Sequence, residues 1–309
     1  MPPPDRPRHG GASGRPGNGR NDSRQQERLA GGAGSAALLP TTRHGLPALG
    51  ATQQANAAFA LWSAAAYVRH AYGQRSDDDQ GRVTADSKHT APHFDAVCRI
   101  ELGPAYAAAH ERWKASCFAA GLLLGEVRIA QRLLIGLSEH TLWETGISLA
   151  PVYGAPVWHG SALKGLCRSF ARQQMTGVFA GEHAVLDEHL VDALFGSERA
   201  AGQVQFNEAW WVPGSAPAAY GANRPFVHEV VTPHHKAFID NRGAVPATPF
   251  DSPEPVPQLA THGRFLVALG GARVWAEHAL DILQIALEME GAGARTPEYG
   301  RGDVRRLDA

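Results

Sequence analysis

The 309-residue sequence predicts an α+β domain of ferredoxin-like, split βαβ topology. Three observations predict it. Strands are marked by period-two alternation after Gly121 and over Arg264–Leu269, with further strands over Gln203–Trp211 and near Tyr299–Leu307. Helices are marked by period-3.6 patterning over Ser161–Met175 and from Trp275 to Met289. The segments follow one another as strand, helix, strand, insertion, strand, helix, strand, the order found in the RNA-recognition fold.

Residues 1–50 are crowded with Pro, Gly, Ser, Arg and Gln and have little apolar pattern, which predicts a disordered tail. The tail is slightly basic, because Arg6, Arg8, Arg15, Arg20, Arg24 and Arg28 outnumber Asp5, Asp22 and Glu27. Residues 51–120 read as a helical extension. An Ala-rich run over Thr52–Tyr72 carries Phe59, Leu61, Trp62, Ala65, Ala66 and Val68, and a second helix covers Tyr106–Ala120. A polar, turn-like loop over Gln74–His93, containing Asp77, Asp78 and Asp79, separates them.

Residues 121–309 hold the ferredoxin-like domain. In its first strand Val127, Ile129, Leu133, Ile135 and Leu137 share one face, with Arg128 and Arg132 on the other. A Gly- and Pro-rich loop leads to the helix over Ser161–Met175, followed by a short helix near Asp187–Phe195 and the second strand. A Pro-rich insertion, 213–262, separates the second and third core strands. In the last helix Trp275, Ala279, Ile282, Ala286 and Met289 oppose a polar stripe of Glu277, Asp281, Gln284 and Glu288.

A net charge of −1 argues against a free-standing nucleic-acid binder and confines any such contact to local patches. Cys98, Cys117 and Cys167 are widely spaced and lack a CxxC pair, so neither a disulfide framework nor a cysteine metal site is expected. Glu126, Arg128 and Arg132 interrupt the best apolar run, and the N-terminus has no apolar signal core; a cytoplasmic protein without membrane contact is expected.

Two motifs suit a phosphate backbone. The turn Gly291–Gly302 offers Gly291 and Gly293 for close approach, with Arg295, Thr296, Tyr299 and Arg301 beside them. In Trp158–Arg168, Ser161 is placed to cap the helix that follows and His159 precedes it. Lys164, Arg168 and Arg172 recur every four residues on one helical face, while Leu163, Leu166, Cys167 and Phe170 form the face for the core. Gly165 permits close approach by a ligand backbone, and the helix N-terminus favours an anion.

The run Gly154–Gly165 followed by Arg168 resembles a signature of the RAMP superfamily of CRISPR-associated proteins, and the C-terminal glycine turn resembles that superfamily's other signature. Gly202–Ala209 and Phe226–Phe238, with Thr232-Pro233-His234 inside the latter, are similar to the second strand and the Thr-Pro-His motif of the sixth-subunit family of type III-B Cmr complexes. The resemblance covers roughly 121–304. Arg295 replaces the family's lysine and Glu298 its glycine before the tyrosine, while Phe238 stands where an aromatic pair is usual.

The resemblance implies a non-catalytic RNA-binding subunit, with no cofactor or metal, near one end of a helical ribonucleoprotein. Its implied partners are the CRISPR guide RNA, target RNA and other Cmr RAMP subunits, especially the backbone subunit and the capping subunit at the same end. The implied role is to hold the guide for pairing with target RNA in antiviral defence. It assigns guide contacts to His159, Ser161, Lys164, Arg168, Arg172, Gly291, Gly293, Arg295, Thr296, Tyr299 and Arg301. The insertion, with His234, His235, Lys236, Phe238, Asn241 and Arg242, would form a thumb against the guide–target duplex. The competing reading is a metal-independent endoribonuclease of the RAMP class that processes CRISPR RNA. It would use His159, His234 or His235 as base and Lys164 to stabilise the developing charge. The resemblance also implies a metal-assisted route to target cleavage, which backbone relatives perform with an aspartate on a loop after the first strand; Leu137–Gly160 contains no Asp, only the carboxylates Glu139 and Glu144.

Overall fold

Strand β1 (Leu123–Ile129), six of whose seven residues are buried, takes an interior position in the main sheet. It pairs antiparallel with β8 (Arg264–Gly270) on one side and β9 (Gly302–Leu307) on the other, in registers that set Val127 opposite Phe265 and Val304. Beyond β8 the sheet continues through β5 (Ala209–Trp211), β3 (Ala155–Trp158) and β2 (Leu149–Ala150), while β4 (Gln205–Phe206) also pairs with β8. The β1–β5 connection contains α3 (Gly160–Thr176) and α4 (Glu188–Phe195), and the β8–β9 connection contains α5 (Arg273–Met289). The order β5-β8-β1-β9, with a long helix in each crossover, is the split βαβ arrangement the sequence predicts.

The computed structural model describes residues 56–58, 60–61, 87–137, 146–176, 188–232, 234–235, 238–239, 241–251, 253, 255–294 and 299–307. The tail over 1–50, most of the expected Thr52–Tyr72 helix, and Asp77, Asp78, Asp79, Glu139 and Glu144 lie outside them.

One face of the sheet carries α3 and α5. Leu163, Cys167, Phe170 and Ala171 meet Ala279, Leu283, Ala286 and Leu287 over Val127, Phe265 and Val267, which forms the principal core. The other face is occupied by α2 (Pro104–Ala119), whose Cys117 packs on Leu124, Leu266 and Ala268. Trp210 lies between Trp113 and Tyr106, stacked on each with ring centroids 5.1 and 6.1 Å away, and the Tyr106 hydroxyl donates to the Trp211 carbonyl at 2.7 Å. On this face the buried Glu126 accepts from Arg264 at 2.7 Å and Arg305 at 2.9 Å, so one carboxylate is held by cations from both neighbouring strands.

A second, two-stranded sheet is formed by β6 (Phe226–Val231) and β7 (Val256–Thr261). Its Phe226 and Leu259 share a small core with Phe94 and Val97 of α1 (Ser87–Cys98), and with Ala57, Ala58, Ala60 and Leu61 from a helical segment. Parts of the N-terminal extension and of the insertion therefore bury each other.

Several elements differ from the expectation. Helix α1 begins at Ser87, inside the stretch read as a loop to His93. The first strand ends at Ile129: the Ala130 amide bonds Arg301 O, and Leu133 then bridges Thr261 of the second sheet. The second core strand is split into β4 and β5 at Asn207, whose backbone and side-chain amides both donate to Ala268 O. The insertion hides a paired hairpin because Pro257 and other prolines mask it; proline is tolerated in a two-stranded edge. The buried stripe of α5 is turned toward Leu280, Leu283 and Leu287, leaving Trp275 half-buried and Met289 exposed.

Two glycines test the turn geometry. Helix α2 closes with Gly121 at φ +72°, its amide bonding Phe118 O and the Leu122 amide bonding Cys117 O, while a Cβ there would touch nothing. Gly121→Ala is expected to cost about 1 kcal/mol from conformation alone, lowering Tm by about 2–4 °C. Gly300→Ala carries the same positive-φ cost plus a collision with Ala292 O, so its Tm falls further in the same thermal melt.

Candidate nucleic-acid interface

The two glycine-bearing motifs, more than a hundred residues apart in sequence, face each other across one cleft of about 570 Å³. Segment 134–137 and Ser148 line its base. His159, Ala162, Gly165, Leu166 and Ser169 of the α3 region form one wall, and residues 290–294 form the other. Backbone hydrogen bonds fix the second wall: Ala294 N donates to Leu134 O at 2.9 Å, Gly300 N to Arg132 O at 2.7 Å, and Ala292 N to Gly300 O at 2.9 Å.

These contacts change the meaning of the glycines. Gly293 and Gly300 have φ of +78° and +79°, and a Cβ on either would strike the protein's own backbone, at Leu134 O and Ala292 O. Gly291 is buried at the end of α5. The turn thus uses its glycines to close against segment 132–134. Gly165 is the contrary case: it is exposed on α3 and a Cβ would meet nothing within 4 Å, so it leaves room beside the cleft.

At the rim, His159 occupies the N-cap position of α3, its carbonyl accepting from Ala162 N and Leu163 N at 3.0 and 3.1 Å. Ser161, expected to cap, instead lies exposed inside the first turn, because Gly160 starts the helix against Phe206 O where a Cβ would collide. The His159 ring is held at both nitrogens, Nε2 by Ser148 Oγ at 2.7 Å and Nδ1 by Glu208 Oε1 at 3.3 Å. One neutral tautomer satisfies both, with Ser148 donating to Nε2 and Nδ1–H donating to Glu208. Sequence reasoning missed Ser148 and Glu208, which no local pattern links to His159.

The remaining expected contacts divide. Arg172 is exposed and borders a groove with Gly165, Arg168, Ser169 and Gln173. Lys164 and Arg168 line a separate depression with the loop after α4, and Arg168 pairs with Asp192 at 3.4 Å. Tyr299 is half-buried against the cluster of Leu134, Val227 and Ala260. Arg301 reaches Glu288 O at 3.4 Å, the carbonyl end of α5, and does not line the cleft. Arg295, Thr296 and Glu298 lie outside the described residues.

The insertion is rooted in the base of the same cleft. Leu133 N and Thr261 N each donate to the other residue's carbonyl, at 2.7 and 2.9 Å, and Leu134 packs with Val227 and Ala260. Beyond β6, His234, Phe238, Asn241 and Arg242 are exposed, while Lys236 lies outside the described residues. His235, at φ +60°, is tied to Asp251 by a 2.8 Å contact from Nδ1. Asp251 also accepts from the Thr248 hydroxyl at 2.5 Å and the Thr248 amide at 3.1 Å. The Thr248 hydroxyl first, then His235 and the Thr248 amide, hold the Asp251 carboxyl down at about 2, below its ordinary 3.8. Burial pushes the Cys98 and Cys167 thiols up to about 12, so neither is a nucleophile near neutral pH. Among the described residues no group of three His, Cys, Asp or Glu is placed to hold a metal ion, and no helix is long and apolar enough to cross a membrane.

Residues 144–302 match the RAMP superfamily. The CRISPR system Cmr subunit Cmr6 of Pyrococcus furiosus is 25% identical over a 232-residue alignment covering 58% of this chain and 67% of that protein. Among solved structures, a chain in the cryo-EM structure of type III-B Cmr-beta bound to cognate target RNA is similar in fold, with a TM-score of 0.52 at 22% identity and 68% of each chain covered.

The Asp251 turn has a defined pH response. A carboxyl whose folded value lies below its ordinary one adds stability above pH 3.8 that is lost as pH falls through about 2. Hydrogen exchange at the Thr248 amide, corrected for intrinsic rates, should lose protection across that window. Asp251→Asn should abolish the dependence.

Proposed function

The chain belongs to the RAMP superfamily, and on that premise we propose that it is a non-catalytic RNA-binding subunit of a type III-B CRISPR ribonucleoprotein. It holds the guide RNA backbone in the cleft between α3 and the glycine turn and helps present the guide to target RNA in antiviral defence. Its partners are the guide, the target and other Cmr RAMP subunits, among them the backbone and capping subunits, in the cytoplasm. The observation that carries this reading is that both superfamily motifs meet across one cleft, beside a helix N-terminus and an unobstructed Gly165.

A guide must be held whatever its sequence. Main-chain groups and cations that contact phosphate and sugar provide that tolerance, and base pairing then supplies specificity. The exposed His234, Phe238, Asn241 and Arg242 on the insertion suit contact with the guide–target duplex.

The geometry disfavours the ribonuclease reading. A base and a charge-stabilising group would have to converge on one ribose. Both ring nitrogens of His159 are engaged, Lys164 lines a different depression, and His235 is tied to Asp251.

Gly165→Glu separates binding from folding. A carboxylate in that open space repels phosphate, whereas replacing a glycine inside a helix stabilises it by up to about 1 kcal/mol. Anisotropy titrations with short single-stranded RNAs should show sequence-independent binding that falls with salt, by roughly 0.7 log units per log unit of salt for each phosphate contact. The variant should bind at least about tenfold more weakly, with Tm unchanged or raised. Salt-independent binding, or cleavage of labelled precursor or target RNA by the isolated chain, would overturn the proposal.

A further inference from the structure

The depression lined by Lys164 and Arg168 has its own construction. Its volume is about 380 Å³, and its opposite wall is the loop 195–202. That loop is a closed turn. Gly196, at φ +82°, ends α4, Ser197 N donates to Ala200 O at 2.9 Å, and Gln203 N returns to Ala193 O at 2.8 Å. Gly196 and Gly202 approach so closely that a Cβ on either would strike the other's amide nitrogen. The turn carries Arg199, whose amide donates to Ser197 Oγ at 3.3 Å.

Lys164, Arg168 and Arg199 therefore surround one small space, together with the carboxylate of Glu198. Asp192 takes one arm of Arg168, yet the Arg168 Nε is buried with no hydrogen-bond partner. No carboxylate of the described residues forms an ion pair with Lys164 or Arg199. Three cations around one pocket, two of them without a carboxylate partner among the described residues, suit an anion with several acceptor oxygens.

The depression also connects to the cleft. Gly165 and Ser169 belong both to the cleft and to the groove beside Arg172, and Arg168 belongs both to that groove and to the depression. A path thus crosses α3 with cations along its far half. A polymer with an anion in every repeat fits such a path, whereas a single acidic side chain would occupy only its end. We infer that a single RNA strand leaving the cleft crosses α3 and seats a further phosphate between Lys164, Arg168 and Arg199, which makes Arg199 an RNA-contact residue. This inference rests on the RNA-binding reading of the cleft.

The test measures RNA binding by the full chain over a salt series. Arg199→Ala should weaken binding to short single-stranded RNA about tenfold and lower the magnitude of the salt slope by about 0.7. Arg199→Lys should restore the slope, and neither change should move Tm, because Arg199 is exposed. Unchanged affinity and slope in Arg199→Ala, with binding weakened in Gly165→Glu, would overturn the path across α3 and leave the cleft standing. If Arg199→Ala loosens association with a partner subunit without altering the slope, the pocket holds a protein carboxylate and the inference fails. Absence of RNA binding by the native chain would overturn both readings.

Discussion

Segment Arg132–Ile135 is hydrogen-bonded along both of its edges, and the cleft depends on it. On one edge Leu133 exchanges bonds with Thr261 of the second sheet. On the other, Arg132 O and Leu134 O receive the amides of Gly300 and Ala294. Its last residue, Ile135, accepts from Ser148 N, whose own hydroxyl holds His159 at the start of α3. A segment bonded from both edges is a rigid strut, since displacing it would leave these carbonyls and amides unpaired near the core. Through this strut the glycine turn, the hairpin of the insertion and the helix N-terminus take fixed positions around one space.

The occupation of the second sheet face directs where a nucleic acid can lie. In an RNA-recognition domain, bases stack on aromatic side chains of the open sheet. Here Trp210 of β5 is already stacked on both sides by Trp113 and Tyr106 from the α2 region, and Glu126 is neutralised by Arg264 and Arg305. The stack is internal packing of aromatic rings. Among the described residues, the cleft, the flank of α3 and the exposed part of the insertion stay open to a polymer.

Much of the main sheet was legible in the sequence because its long helices carry apolar stripes and its central strands are short apolar runs bounded by glycine turns, although the pairing of β1 with β8 and β9 joins distant segments. The helix over Ser161–Met175 and the strand over Arg264–Leu269 differ from their observed bounds by only a residue at either end. The hairpin was hidden because Pro257 breaks the pattern and its strands pair across a long excursion. The candidate site was legible as two motifs, whereas their meeting across a cleft was a tertiary fact. The same holds for Ser148, Glu208 and Arg199, whose roles arise from distant chain segments coming together. The glycine turn illustrates the limit: residue type signals close backbone approach, but only the fold shows that Gly293 and Gly300 approach this chain itself.

The most direct test of the account is to purify the protein with its native assembly, irradiate it, and map RNA-crosslinked peptides by mass spectrometry. The account predicts nucleotide adducts in the stretches 159–173 and 290–294, which border the cleft and the α3 flank. An assembly that contains guide RNA but gives adducts on this chain only at the α2 face, or none at all, would contradict it.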